Sequence, residues 1–268
     1  MTPEPLRVAV GQAVVTSGDV AANVAKAARL VSLAGSQGVR MVLLPEAFLT
    51  GYDLGVFLGP VPSADDLDGG WLDPLRAASA EADAVVVVST PLRRGAEKTL
   101  SLLVVRPSGR VTAPYDKQHL DADETAFFVA GDHGASITVD GMELGLSICY
   151  DGSFPEHARA AADDGAAAYL SSSALLPGGA HRRDTALAAR ALDNGMYVVL
   201  AAMTGPCGPY EFIGGSAVYD PEGRPLARLG EEEGLAVAEL DPAVLAEARA
   251  AHRMHADRRA SLGPRVRD

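Results

Sequence analysis

Cysteine is almost absent: Cys149 and Cys207 are the only two in 268 residues. That excludes a disulfide framework and argues against a cysteine-built zinc site, while leaving room for one reactive thiol. Basic residues are in short supply, 23 Lys and Arg against 35 Asp and Glu for a formal net charge of -12. Such a surface lacks the positive patch that a phosphate backbone or an anionic membrane rewards, so neither nucleic acid nor membrane is expected as a partner. Long apolar runs are missing too. Stretches such as Met196 to Met203 fall far short of a bilayer span. The opening Met1-Thr2-Pro3-Glu4-Pro5-Leu6-Arg7 has no charged-then-apolar secretory pattern. The expectation is a cytoplasmic protein. No linker-like tract, repeat or low-complexity segment interrupts the chain, so residues 1–268 are expected to form one domain.

What is present is an alternation of strand and helix signals. Val8-Ala9-Val10 reads as a strand, Val20, Val24, Ala27, Val31 and Ala34 recur at helical spacing up to Gly38, and Met41-Val42-Leu43-Leu44 is a second apolar strand. Further strands are expected at Ala84 to Ser89, Leu100 to Val105, Leu144 to Ile148, Tyr169-Leu170, Tyr197 to Ala202, Ser216 to Tyr219 and Leu235 to Leu240. An Ala-rich helical pattern lies between Arg182 and Leu192. The turns Pro107-Ser108-Gly109-Arg110, Asp140-Gly141 and Asp220-Pro221-Glu222-Gly223 give each half hairpins, which imply mixed sheets and disfavour a barrel of eight repeated units.

Several residues could carry chemistry. Cys149 ends the strand Gly145-Leu146-Ser147-Ile148 and precedes the turn Tyr150-Asp151-Gly152-Ser153 and a helix from Pro155-Glu156. A sharp turn there would push the thiol out of the sheet, where the next N–H and the helix dipole could favour a thiolate or bind an oxyanion. Glu46 ends the apolar strand Leu43-Leu44-Pro45, a costly place for a charge unless it faces a polar cleft. Lys117, in what reads as a loop at Tyr115-Asp116-Lys117-Gln118-His119-Leu120, and Glu124 are unremarked when taken singly.

These segments occur in the order and context of the nitrilase (carbon-nitrogen hydrolase) superfamily, which the chain resembles over nearly its whole length. The spacing is 71 residues from Glu46 to Lys117 and 32 from Lys117 to Cys149. Also similar are Phe127-Phe128 with Gly131, Arg190-Ala191-Leu192-Asp193-Asn194-Gly195, the run Gly214 to Gly223, and Asp257-Arg258-Arg259. The resemblance implies an α/β fold, an α-β-β-α sandwich of two mixed sheets flanked by helices, with no cofactor and no metal. It implies Cys149 as nucleophile, Glu46 as general base and Lys117 as oxyanion stabiliser, with Glu124 holding lysine and substrate and the Tyr150 N–H assisting. His119 is expected to support the site structurally. His133, His157, His181, His252 and His255 show no metal-ligand spacing and default to solvated or capping roles. Cys207, in Gly205-Pro206-Cys207-Gly208-Pro209, reads as a spectator thiol in a loop.

The expected reaction is hydrolysis of a small amide to acid and ammonia; an N-carbamoyl amine or amino acid substrate is the nearest alternative. Nitrile hydrolysis is disfavoured by Tyr150 after the thiol, and an inactive scaffold by the intact set of three. Gly152 and Ser153 stand where many relatives carry an apolar residue and an arginine or another large polar residue, and Ala201-Ala202-Met203-Thr204-Gly205 where relatives often have an asparagine before the glycine. The first departure weakens the case for a dicarboxylate-type substrate and leaves room beside the thiol. A homodimer or higher homo-oligomer is expected, with the run Ala158 to Ala162 and the C-terminal helix and tail, 242–268, at the interface through Leu245, Met254, His252, Arg253, Arg258 and Arg259.

Overall fold

Alternating strand residues point to opposite faces, and in the first half of the chain both faces are apolar. β1 (Leu6–Gln12), α1 (Val20–Gly35) and β2 (Met41–Leu43) form the opening strand-helix-strand unit of the computed structural model, which describes residues 4–254, 256–259 and 261–267. Of the residues considered above, Met1, Thr2, Pro3 and His255 lie outside the described ones, as do residues 260 and 268 of the expected interface tail. The Asp19 carboxylate accepts the Ala22 N–H and starts α1, whose buried Val24, Ala27, Val31 and Ala34 recur three and four apart. After α2 (Leu54–Leu58) and α3 (Asp73–Ala82), β3 (Val85–Arg94), β4 (Glu97–Val105) and β5 (Val111–Asp116) run as an antiparallel meander. Val8, Val10, Met41, Leu43, Val85 and Val87 face one core. Their neighbours Ala9, Val42, Val86 and Val88 face the other, packed with α1 and α3.

The second half repeats the scheme. β6 (Ser136–Val139) and β7 (Met142–Ile148) form a hairpin, followed by α4 (Pro155–Asp163), β8 (Ala168–Ser173), α5 (Ala180–Asn194) and β9 (Tyr197–Ala202). β10 (Thr204–Cys207) and β11 (Tyr210–Ile213) pair as a separate two-stranded ribbon. β12 (Ala217–Tyr219) and β13 (Pro225–Arg228) complete the second sheet, in the order β13-β12-β9-β8-β7-β6. β14 (Gly234–Leu240) then crosses back to pair antiparallel with β1, giving the first sheet the order β14-β1-β2-β3-β4-β5, before α6 (Pro242–Ala251). β1-β2-β3 and β7-β8-β9 are parallel, and their flanking pairs antiparallel. The two mixed sheets pack together with helices outside, as expected.

Three expectations change. Lys117 does not sit in a free loop; it directly follows β5, its N–H bonded to the Leu100 carbonyl at 2.8 Å. Cys207 belongs to β10 and is buried, because that Gly- and Pro-rich stretch pairs with Tyr210–Ile213. Leu245 and Ala158 face the molecule's own core and are closed to a partner, whereas Met254 is exposed and Arg258 bonds Asp163 at the end of α4.

Candidate functional site

Cys149 follows β7 directly and adopts φ 45, a left-handed conformation that costs a non-glycine residue about 1–2 kcal/mol. Two residues hold that turn. Asp151 accepts the Ile148 N–H at 3.0 Å, and Arg190 from α5 donates to the carbonyls of Gly152 and Ser153, each at 3.0 Å. Glu46 precedes a second left-handed residue, Ala47 (φ 48), whose N–H is tied to Ser89 Oγ. The Ala174 N–H, just past β8, donates to Glu46 Oε2 at 3.0 Å, and its carbonyl lies 3.8 Å from Cys149 Sγ. The backbone of one residue thus touches both groups.

Lys117 lies between two carboxylates. Its Nζ donates to Glu46 Oε1 at 2.7 Å and to Glu124 Oε1 and Oε2 at 2.6 and 2.8 Å, all three side chains 1% exposed. Glu124 is fixed by the Asp121 N–H and the Tyr52 hydroxyl. Gly131 matters here: its N–H bonds the Lys117 carbonyl, and a Cβ would lie 2.3 Å from the Asp116 oxygen.

Two carboxylates around one ammonium leave a surplus of negative charge. Burial raises the Glu46 carboxyl and the Glu124 charge raises it further, against the pull of Lys117, to about 7. Burial lowers Lys117, but the charges of Glu46 and Glu124 outweigh it and hold the ammonium above its ordinary value. Burial and the Glu46 charge push the Cys149 thiol well up, against Lys117. A thiol raised in this way keeps its proton until a base removes it. Glu46 is that group by position.

Glu46, Lys117, Glu124 and Cys149 all line one cleft of about 490 Å³, with Tyr150 at its wall. A smaller cavity of about 90 Å³ adjoins the thiol at Gly152 and Leu187. The room expected at Gly152 is narrow, since a Cβ there would already meet Leu187 at 3.1 Å. His119 turns away, with Nδ1 on Asp151 at 2.9 Å and its ring stacked 3.8 Å from Phe154. Sequence reasoning missed Tyr52, Ala174 and Asp151, none of which carries a local signal. It also misjudged His157, which is buried between the hydroxyls of Tyr115 and Tyr169. His119, Asp151 and His157 bring ligand atoms within 4.8 Å of one another. A metal would have to displace hydrogen bonds already made: the Asp151 oxygens take the Tyr115 hydroxyl and the N–H groups of Ile148 and His119, and both His157 nitrogens are engaged. That donor set does not fit a cation.

A family model described as carbon-nitrogen hydrolase matches residues 7–250. The chain is 36% identical over 250 residues to the deaminated glutathione amidase of Escherichia coli O157:H7, covering 91% of this chain and 93% of that one. It is 32% identical over 249 residues to an (R)-stereoselective amidase of Pseudomonas sp, covering 91% and 88%. An amidase from Nesterenkonia sp. AN1 superposes with a TM-score of 0.82 at 31% identity, covering 96% and 97% of the two chains, in a form with the acetamide moiety of fluoroacetamide covalently added at the active site cysteine.

Proposed function

The chain belongs to the carbon-nitrogen hydrolase family, and from that premise we propose that it hydrolyses a small amide to a carboxylic acid and ammonia through a thioester on Cys149. The observation that carries the reading is the meeting of the Cys149 thiol, the Glu46 carboxyl and the buried Lys117 ammonium in one cleft, with Ala174 touching both the carboxyl and the thiol. Glu46 takes the thiol proton as Sγ attacks the carbonyl carbon, and the developing oxyanion is stabilised by Lys117 and the Tyr150 N–H. Collapse breaks the C–N bond, and the proton on Glu46 leaves with the nitrogen as ammonia. Glu46 then removes a proton from water, which adds to the thioester and releases acid and thiol. Glu124 holds Lys117 and shapes the acyl side. No step calls for a metal or organic cofactor.

The test is ammonia release from a panel of aliphatic amides, carbamoyl amines and nitriles, with mass spectrometry for an acyl adduct on Cys149. Turnover of amides with a trapped adduct supports the reading. Adduct-free turnover, or turnover of nitriles alone, overturns it.

The same proposal has one domain, 1–268, working in the cytoplasm as a homo-oligomer with 242–268 at the interface. Its supports are two free thiols, as a reducing compartment leaves them, and exposed Val244 and Met254 beside the charged Arg253 and Arg258. Light scattering at low micromolar concentration should give at least twice the 27.7 kDa of one chain; an active monomer defeats it.

A further inference from the structure

Two carboxylates meet at the cleft floor, and their hydrogen bonds differ in a way that decides which of them exchanges a proton. Glu46 accepts one hydrogen bond from nitrogen on each oxygen, from Lys117 Nζ and from the Ala174 N–H, and faces the Cys149 thiol. Glu124 accepts two on each. Its Oε1 takes Lys117 Nζ at 2.6 Å and the Tyr52 hydroxyl at 2.9 Å, and its Oε2 takes Lys117 Nζ at 2.8 Å and the Asp121 N–H at 2.7 Å. Hydrogen bonds to a carboxylate favour its charged form. Of the two donors that set Glu124 apart, the Asp121 N–H is backbone, which almost any residue supplies. The other is a side chain, and it comes from Tyr52, 72 residues away in the chain.

The surroundings of Tyr52 fix the aim of that hydroxyl. Gly51 before it has φ 77, and a Cβ there would lie 2.7 Å from the Cys207 sulfur, so only glycine lets the chain pass this close to β10. The Tyr52 ring meets Phe57, Phe212 and Tyr210 edge to face, with centroids 5.3, 5.9 and 6.2 Å away. Burial and the charges of Glu46 and Glu124 hold the phenol far above its ordinary value, so it remains a donor. We propose that Tyr52 is a positioning residue of the hydrolysis: its hydroxyl pins Glu124 as the standing anion beside Lys117 and thereby leaves Glu46 as the carboxyl that takes the thiol proton. The inference rests on the amidase reading above.

Lys117, after β5, and Cys149, after β7, face the two carboxylates directly. Farther out the cleft is lined by Asp121, Asp123, Tyr150, Arg182 of α5 and Tyr210 of β11. All of these stay in place in Tyr52→Phe, which keeps the ring and removes one hydroxyl. With that donor gone, the proton divides between Glu46 and Glu124. Molecules that hold it on Glu124 keep Glu46 free to act, so the acid limb of Cys149 alkylation by iodoacetamide should flatten. Over the two pH units below the midpoint, wild type should lose about a hundredfold in labelling rate and Tyr52→Phe about tenfold, because a hydrogen bond to a charged group is worth about tenfold or more in an equilibrium. Tyr115→Phe, which takes a hydroxyl from Asp151 instead, is the control: it should lower the melting temperature and leave the limb as steep as in wild type. A limb equally steep in Tyr52→Phe and wild type, whatever happens to stability, overturns the role of Tyr52 and leaves the amidase reading intact. Equal flattening in Tyr115→Phe also overturns it, as a general loosening of the site. A wild-type protein with no acid limb removes Glu46 as the base and this inference with it. Labelling needs no substrate, so a flattened limb in Tyr52→Phe beside a failure of every amide to release ammonia supports the role of Tyr52 and counts against the amidase reading alone.

Discussion

Two buried acidic clusters flank the same strand ends, and they are built to opposite rules. At the cleft floor Glu46 and Glu124 share the single ammonium of Lys117. Behind it, Asp151 alone receives the Tyr115 hydroxyl, the Ile148 N–H, the His119 N–H and His119 Nδ1. In the second cluster donors match acceptors, and the carboxylate acts as a peg that ties Tyr115 and His119, either side of Lys117, to Ile148, next to Cys149. In the first, every carboxylate oxygen also accepts a hydrogen bond but two carboxylates share one positive charge, and burial together with the Glu124 charge raises the Glu46 carboxyl to where it can exchange a proton. The contrast is one of charge: the floor sets two carboxylates on a single ammonium, while the peg sets one carboxylate among N–H and O–H donors.

Emptying the floor should give the largest effect. Cys149→Ala should abolish ammonia release while leaving the circular dichroism spectrum and melting curve near wild type, because the covalent route is lost and little packing is. Lys117→Ala should lose about 3 kcal/mol or more of transition-state stabilisation, the scale of one oxyanion donor. It should also destabilise the fold by about 3–5 kcal/mol, since two buried carboxylates would face each other without a cation. Lys117→Arg should not restore turnover, because a planar fork does not fit a site made for a point charge. Normal kcat in either lysine variant would erase the distinction between floor and peg.

Breaking the peg should act through geometry. Asp151→Asn places an amide N–H₂ against either the Ile148 N–H or the His119 N–H, leaving a buried donor unpaired at a cost of about 1–3 kcal/mol. Guanidinium melts should show that loss. The slope of the acid limb of kcat/KM should keep its position, because Asp151 does not carry the reacting proton. A shifted limb with unchanged stability would mean that the two clusters titrate together.

Much of the floor was legible because its members terminate apolar strands at a family-like spacing: a charged residue after Leu43-Leu44-Pro45 and a cysteine after Ser147-Ile148 stand out against their own segments. The peg was invisible for the converse reason. Asp151, Tyr115 and His157 each look ordinary in sequence and become a cluster only when β5, β7 and α4 converge. Secondary structure followed the same division. Local period and turn residues marked the hairpins β4–β5 and β6–β7, but the return of β14 to β1, Leu6 opposite Leu240, is a pairing that no local pattern encodes. The β10–β11 ribbon read as a loop because its glycines and prolines are turn residues locally, while the tertiary pairing overrides them.

The smallest expected effect, and the one that reads the floor most directly, is a pH dependence shared by turnover and alkylation. Below about 7 Glu46 holds its proton and cannot take the one on Cys149, so kcat/KM should fall toward tenfold per pH unit on the acid side and level off above. Iodoacetamide, itself a small amide, should label Cys149 with the same acid limb, because the thiol is held well above its ordinary value and depends on Glu46 to lose its proton. Cys207 has no such helper: it is buried in β10, pushed up to about 11 by burial, and should label slowly with a rate that rises toward alkaline pH without a limb near neutrality. Glu46→Gln keeps the shape and removes the base, so it should abolish the limb for Cys149 and leave Cys207 as it was. If the limb survives in Glu46→Gln, the titrating group lies elsewhere, and Glu124, the other carboxylate on Lys117, is where to look.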